Sequence, residues 1–207
     1  DNLEEGVKNQ QKLVDAQSLQ WKSYQEALAQ ILTWLDQMEK SLKQDHLSSL
    51  LSTQDLRSKL LKQKATLQEV VSHKRVIETV AEKAEAINHD TTDIKNVNLR
   101  YEALVDKFLK SITQLEDCLD AFQQFADLHK IHQDYQKQMR DRLSTLTDFS
   151  GNKPLLQSRL SKLIEVKERL CDGEAQLKSL EDHIINKTAK ISPRAKETMD
   201  RDLANLK

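Results

Sequence analysis

The chain has 207 residues, of which 31% are charged and only 4% aromatic, and it contains 3 glycines and 2 prolines. This composition is typical of long helices and excludes a sheet protein, because strands need β-branched and aromatic residues and their turns need glycine or proline. The formal net charge of -1 excludes a strong electrostatic attraction to nucleic acid or to an anionic membrane. No apolar run approaches the roughly 20 residues that a membrane-spanning helix needs.

The first third of the chain predicts one helix with a polar lead-in. We interpret residues 1–17 as the end of an upstream helix or a lead-in to the first helix, since their apolar side chains share one face. Residues 18–43 predict the first full helix, because their apolar residues recur at alternating spacings of three and four. We expect Trp21 and Trp34 to be largely buried, because large aromatic side chains are costly to leave in water. The seam of this helix contains Trp21, Tyr24, Leu28, Ile31, Leu35, Met38 and Leu42.

Two loops flank a predicted second helix. Residues 44–53 contain Asp, His and three serines and predict a loop, with Ser52 or Thr53 as the N-cap of the next helix. Residues 54–88 predict a helix with a wide apolar face, which is typical of a central helix contacted from two sides. Residues 88–93 are rich in helix-capping side chains and predict the second loop.

The stretch from Thr91 to Phe149 predicts one long helix around which the chain is organised. It contains no glycine or proline, and a heptad seam runs through it. At about 1.5 Å per residue such a helix is roughly 80 Å long, too long for one small globule, so we expect it to leave one packed unit and enter the next. The seam contains Ile94, Val97, Tyr101, Leu104, Phe108, Ser111, Leu115, Cys118, Phe122, Phe125, His129, His132, Gln136, Met139, Leu143 and Leu146.

The strongest break follows at residues 147–154, where Gly151 is suited to end a helix and Pro154 to begin one. Residues 154–191 predict the next helix, with a softer place near Gly173. Ser192 and Pro193 then predict the cap and first turn of a last helix.

An internal repeat relates the two halves of the chain. A shift of about 101 residues pairs Trp21 with Phe122, Tyr24 with Phe125, Trp34 with Tyr135, Met38 with Met139 and Leu42 with Leu143. Near the second helix a shift of 104 pairs Leu56 with Leu160, Leu60 with Ile164, Val76 with Leu180, Val80 with Ile184 and Ile87 with Ile191. A repeat of about a hundred residues with three helices in each copy predicts a linear array of helical bundles.

At these positions the sequence resembles the spectrin repeat, a left-handed three-helix bundle marked by a tryptophan in the first helix and an aromatic residue in the third. Trp34 holds the first position and Tyr101 the second, while Tyr135 replaces the tryptophan in the second copy. The third-helix aromatic of the second copy is expected beyond the last residue. The substituted tryptophans look most like those of the giant linkers, the nesprins and alternatively the spectraplakins.

The resemblance implies an all-α fold of two tandem spectrin-type three-helix bundles joined by one continuous helix, the second with a truncated third helix. The expected divisions are 1–17 as a lead-in or the end of a preceding repeat, 18–120 as the first repeat and 121–207 as the second. The expected core contains Trp21, Tyr24, Trp34, Met38, Tyr101, Phe108, Phe122, Phe125, Tyr135 and Met139.

The sequence contains no glycine-rich phosphate loop, no HExxH motif and no nucleophile elbow. We therefore predict that the chain is not an enzyme and needs no cofactor. His129 and His132 lie three residues apart, but no further cysteine or histidine cluster completes a metal shell, so no metal site is predicted. Cys118 and Cys171 show no motif spacing and are expected to be reduced thiols.

Protein binding is the predicted activity, because three-helix bundles expose grooves and loops. The candidate docking residues are Leu47, Leu50 and Leu51 in the first loop and Leu115 and Leu119 in the long helix; in the alternative interpretation these leucines cap their own bundle. A basic cluster near the last loop is interpreted as the solvated end of a bundle, with an acidic partner or lipid headgroups as the alternative. It contains Lys187, Lys190, Arg194 and Lys196.

Two functional hypotheses follow. The first is a spacer and docking segment of a giant linker; a nesprin resemblance implies a place between the outer nuclear membrane and actin, in the LINC complex, with actin regulators such as a formin and neighbouring repeats as partners. The second is a self-associating coiled-coil tether, or a spectraplakin or spectrin rod fragment. The breaks at 44–53, 88–93 and 150–154 favour the first and predict a monomer, because they return the chain on itself and bury its seams internally. Direct actin binding by the helical faces is disfavoured by the near-neutral charge.

Overall fold

The computed structural model describes residues 2–44 and 52–207, and within them every regular element is an α-helix. The predicted all-α fold is therefore confirmed. The helices are α1 (Asn2–Gln44), α2 (Thr53–Ser72), α3 (Lys74–Ala86), α4 (Thr92–Ser144), α5 (Lys153–Glu168), α6 (Leu170–Lys187) and α7 (Pro193–Ala204).

The described residues separate into two compact units. Unit 1 contains residues 2–44 and 59–113, and unit 2 contains residues 52–58 and 114–207. Helix α4 belongs to both units, as the long seam predicts, and the first residues of α2 belong to unit 2. The repeat limits predicted from the sequence, 18–120 and 121–207, stay a prediction.

The core of each unit follows the predicted seams. In unit 1, one cluster joins Ile31, Leu35, Val70, Ile77, Val97, Tyr101, Leu104 and Phe108, and a second joins Tyr24, Val80, Ala84 and Ile94. In unit 2 the seam of α4 continues through buried Leu115, Cys118, Phe122, Phe125, His132 and Met139. Burying each large apolar side chain contributes about 1.5–3 kcal/mol, so these seams supply most of the folding free energy.

The lead-in and first helix are one element, α1. Two helices predicted from the sequence are interrupted. The expected helix over 54–88 is interrupted at His73, and the expected helix over 154–191 is interrupted at Arg169 rather than near Gly173. At both interruptions the backbone stays in the right-handed helical region, but a hydrogen bond joins an N–H to the carbonyl three residues earlier instead of four. Val76 N–H donates to the carbonyl of His73 at 3.0 Å, and Asp172 N–H donates to that of Arg169 at 3.1 Å.

The long helix ends at Ser144, before the predicted break at 147–154. The hydroxyl groups of Ser144 and Thr145 donate to carbonyls one turn back, at 2.8 and 2.7 Å. Such local side-chain bonds compete with helix continuation. Gly151 has a φ of 129°, which suits glycine, but it lies in the loop and does not end the helix.

Side chains fix the beginnings of the later helices, largely as predicted. Ser52 accepts from Asp55 N–H at 3.1 Å and thus caps α2. Asn152 caps α5, with Pro154 in its first turn, and Ser192 caps α7 ahead of Pro193. At the end of α3, Asn88 takes a φ of 50° and the next N–H reaches back to Ala84 at 3.0 Å.

Two loop carboxylates have lowered pKa values. Asp90 accepts from the hydroxyl and N–H of Thr92, and these bonds lower its pKa. Asp148 accepts likewise from Ser150, and the positive charge of Arg159 adds to the lowering of its pKa. The guanidinium of Arg159 also donates to the carbonyl oxygens of Asp148 and Ser150, which closes the loop before α5.

These carboxylates predict a specific acid sensitivity. Because each pKa is lower in the folded chain, each carboxylate contributes stability above its unfolded pKa of about 3.9, and this contribution is lost as the pH falls through the folded pKa. In urea denaturation, the free energy of unfolding of the double variant Asp90→Ala/Asp148→Ala should therefore fall less than that of the parent when the pH is lowered from about 5 to about 3. Asp141→Ala, on the exposed surface of α4, is the control. An equal pH slope in the parent and the double variant would show that neither carboxylate is linked to folding.

Candidate docking surfaces

In unit 1 the first-helix tryptophan packs against the interruption of the second helix. The rings of Trp34 and His73 stack with centroids 4.0 Å apart and planes 5° apart. Tyr101 approaches the same turn from α4, where its hydroxyl lies 3.5 Å from the carbonyl oxygen of Val71. The indole N–H of Trp34 has no acceptor within the described part of the chain. Trp34 therefore contacts this turn by ring stacking and not by a hydrogen bond.

In unit 2 the equivalent residue, Tyr135, also packs against an interrupted helix, with different chemistry. Its hydroxyl donates to the carbonyl of Arg169 at 2.8 Å. A Cβ on Gly173 would lie 2.5 Å from Cε1 of Tyr135, so the glycine leaves room for the ring. The repeat therefore keeps an aromatic side chain facing the tightened turn, although His73 is replaced by a carbonyl contact and a glycine.

Burial along the second helices does not follow one constant shift. The predicted shift of 104 pairs buried Val80 with buried Ile184 and half-buried Ile87 with buried Ile191, but it pairs buried Leu56 with exposed Leu160 and exposed Val76 with buried Leu180. An offset of 100 instead pairs buried Val80 and Ala84 with buried Leu180 and Ile184. The interruptions at His73 and Arg169 lie 96 positions apart.

Most of the expected core residues are buried, but Trp21 is not. Tyr24, Tyr101, Phe108, Phe122, Phe125 and Met139 are buried, and Trp34, Met38 and Tyr135 are half-buried. Trp21 is 39% exposed and its ring contacts those of Tyr24, at 5.8 Å, and His89, at 4.8 Å. It lies at the edge of the second cluster of unit 1 rather than within it.

The histidine and cysteine side chains have structural surroundings. His132 is buried and its Nδ1 lies 3.2 Å from Oε1 of Gln176, while half-buried His129 contacts the ring of Phe125. Residues 2–44 and 52–207 contain no group of three or more metal-ligating side chains. Burial raises the pKa of the Cys118 thiol, and neither cysteine forms a disulfide. Cys118 is thus protonated near neutral pH and poorly reactive.

Ion pairs occupy most of the basic cluster near the last loop. Lys190 lies 3.2 Å from Asp117 and Lys187 3.9 Å from Asp120, both on α4, and Lys196 pairs with Asp200 at 2.6 Å. These contacts favour the interpretation of a bundle end whose charges are balanced internally.

The structure places the five candidate docking leucines differently from the expectation. Leu115 is completely buried in unit 2, so it cannot be reached by a partner in this fold. Leu119 is half-buried. Leu47, Leu50 and Leu51 lie outside the described residues.

Among the described residues, two other apolar surfaces are candidates for docking. The first is the α1 seam, defined as Leu3, Val7 and Val14, which are 88%, 64% and 58% exposed. The sequence shows these residues on one face but not whether anything covers them. The second is the α4–α6 groove, a depression of about 470 Å³ in unit 2. Apolar residues of its lining are Tyr135, Met139, Leu143, Leu170, Leu177 and Leu206.

Comparison with known proteins finds related sequences. The chain is 45% identical over its whole length to a segment of muscle-specific protein 300 kDa of Drosophila melanogaster. The resemblance to the spectrin repeats of giant linkers is confirmed. The chain spans 2% of the length of that relative, so it matches a small part of a very long polypeptide.

No protein-family model matches the chain, and no solved structure does. None of the described helices is long and apolar enough to cross a membrane. In the second unit the first-helix aromatic position is kept, with Tyr135 in place of a tryptophan. A leucine, Leu203, takes the place of Tyr101 at an offset of 102, so the expectation that this position falls beyond the chain was wrong.

The contact between Tyr135 and Gly173 gives a test of the second unit. Gly173→Ala should lower its free energy of unfolding by about 1–3 kcal/mol, because the ring is held by its hydrogen bond and cannot move aside freely. Gly6→Ala is the matched control, since a Cβ there meets nothing within 4 Å and alanine favours a helix by up to about 1 kcal/mol. Urea denaturation followed by circular dichroism should give shifts of opposite sign. If Gly173→Ala stabilised the chain as Gly6→Ala does, the proposed packing of Tyr135 would be wrong.

Proposed function

We propose that this chain is a non-enzymatic spacer and protein-docking segment of a giant cytoskeletal linker, in which successive three-helix bundles share continuous helices. The proposal depends on helix α4. Its 53 residues are divided between the two units, and its apolar seam is buried in each. The similarity to a segment of a very long muscle protein supports a role as one part of an extended array.

A shared helix gives a physical basis for the spacer role. Tension applied along the chain passes through the hydrogen-bonded backbone of α4, and unfolding either unit requires part of its seam to be exposed. The interruptions at His73 and Arg169 lie between α2 and α3 and between α5 and α6, so they leave the shared helix intact.

The finer proposal follows the resemblance to nesprins. The segment would lie on the cytoplasmic side, at the outer nuclear membrane and the cytoskeleton, as part of a LINC complex. Its repeats would be residues 18–120 and 121–207, with residues 1–17 ending a preceding repeat. Its partners would be neighbouring repeats and an actin regulator such as a formin, rather than actin itself.

Force measurement tests the spacer role. A proline at Gln114, where α4 passes from unit 1 to unit 2, should lower the unfolding force of both units in magnetic tweezers, because proline inside a helix costs about 3 kcal/mol. The control is Gln10→Pro, in the exposed first half of α1. If Gln114→Pro changed the forces no more than the control does, the shared helix would not carry the load.

Co-sedimentation tests the docking role. The purified chain should stay in the supernatant with actin filaments alone and should pellet with them when a formin is added. Leu119→Ser should weaken this recruitment, while Ile131→Ser, at an exposed position of the same helix, should not. Pelleting with actin alone would contradict the proposal, and so would equal binding by the two variants.

A further inference from the structure

The connection between α6 and α7 contains the only serine or threonine in the sequence that is followed by proline. Pro193 comes directly after Ser192, whereas the other proline, Pro154, follows Lys153. Arg194 adds a positive charge two residues after the serine. Kinases of the proline-directed class select a serine or threonine by the proline after it, because proline has no backbone N–H that would stay unsatisfied in the kinase. The order serine, proline, arginine is therefore the pattern of a substrate for such a kinase.

The backbone and hydroxyl of Ser192 suit a phosphate acceptor. Its φ of -69° and ψ of 155° are extended, and the two residues after it are exposed. Its hydroxyl accepts from Ala195 N–H at 3.2 Å and donates to no group within residues 2–44 and 52–207. By contrast, the hydroxyls of Thr79 and Ser161 donate to carbonyls one helical turn back. Only the first turn of α7 has to open for a kinase to reach Ser192, and helix ends open at a low cost in free energy.

Basic side chains are available to receive a phosphate on Ser192. Arg194 is exposed and makes no ion pair with any residue that the structure describes. Lys190 and Ser192 line the same depression of about 270 Å³, where the amino group of Lys190 lies 3.2 Å from Asp117. A phosphoserine carries a charge of about -2 at neutral pH and accepts strong hydrogen bonds from such cations. The surroundings of Ser192 therefore favour its phosphorylated form.

The equivalent position of unit 1 already carries a negative charge. The offset of 102 that matches Leu203 with Tyr101 also matches Ser192 with Asp90. The carboxylate of Asp90 accepts from the N–H and the hydroxyl of Thr92 at the beginning of α4, at 3.1 and 2.8 Å. Unit 1 thus has a permanent anion before its third helix, whereas unit 2 has a serine that phosphorylation would make anionic.

We propose that Ser192 is phosphorylated by a proline-directed serine/threonine kinase and that Arg194 and Lys190 hold the phosphate. In the reaction the Oγ of Ser192 attacks the γ-phosphorus of ATP. The bond from that phosphorus to the bridging oxygen of ADP breaks, and the hydroxyl proton passes to the catalytic base of the kinase. The added negative charge lies at the positive end of α7 and stabilises its first turn. This site goes beyond the spacer role and does not depend on it.

Labelling with a kinase tests the acceptor. The purified chain, incubated with a cyclin-dependent kinase and Mg²⁺–ATP, should gain the mass of one phosphoryl group, which peptide mapping should place on Ser192. Ser192→Asn keeps a capping side chain but has no acceptor hydroxyl, so it should not be labelled. Pro193→Ala keeps the serine and should also lose the labelling. Circular dichroism checks that both variants are folded.

Ser150 is the internal control for the labelling, because it is an exposed loop serine that is followed by glycine. It should stay unlabelled. A parent chain that gains no phosphoryl group would overturn the proposal. Equal labelling of Ser150 and Ser192, or undiminished labelling of Pro193→Ala, would do the same, because exposure rather than the Ser192–Pro193 pair would then decide which serine reacts.

Urea denaturation tests whether the phosphate is held. The midpoint of the phosphorylated chain should lie above that of the unmodified chain, and the difference should shrink in about 1 M NaCl because salt screens charges at the surface. Arg194→Gln should lose most of this difference. Arg201→Gln, at another exposed arginine of α7, is the matched control and should keep it. A midpoint that phosphorylation leaves unchanged or lowers, or an equal response of the two arginine variants, would show that the basic residues do not receive the phosphate and would overturn the proposal.

Discussion

Helix α4 has to bury one apolar seam against two different sets of helices. Its first half, from Ile94 to Phe108, packs in unit 1, and its second half, from Leu115 to Met139, packs in unit 2. No glycine or proline interrupts it, because a kink would turn one half of the seam away from its partners. The helices before and after α4 are shorter or interrupted. The proposed spacer role depends on the same constraint.

The repeat conserves a physical arrangement rather than particular residues. An aromatic side chain of the first helix faces a tightened turn in the second, but Trp34 stacks on an imidazole whereas Tyr135 bonds to a carbonyl and fits over Gly173. Similarly, Arg100 pairs with Asp36 and Glu39 in unit 1, whereas the matching positions of unit 2 hold Asp202, Lys137 and Arg140, with the opposite signs. Each solution satisfies the same packing requirement, which explains how two copies diverge in sequence and keep one fold.

The sequence was sufficient to predict the features that follow from the helical period and from local side-chain chemistry. The seam positions, the caps at Ser52 and Ser192 and the continuity of α4 can all be read from spacing and side-chain chemistry. It was insufficient to predict the features that tertiary contacts decide, such as helix interruptions and the exposure of single side chains. No glycine or proline stands at His73 or Arg169 to indicate that the helix is interrupted there. The exposure of Trp21 depends on which side chains of other helices pack against it. Leu115 and Val14 share one seam position, yet only contacts show that the first is buried and the second exposed.

Hydrogen exchange along α4 tests the account most directly. If the seam continues without a break, the backbone amides of residues 110–125 exchange as slowly as those around Leu104, because Leu115, Cys118 and Ala121 are buried on the same helical face. A stretch of fast-exchanging amides between residues 110 and 125, flanked by two protected segments, would show that α4 is two helices and would contradict the shared-helix account.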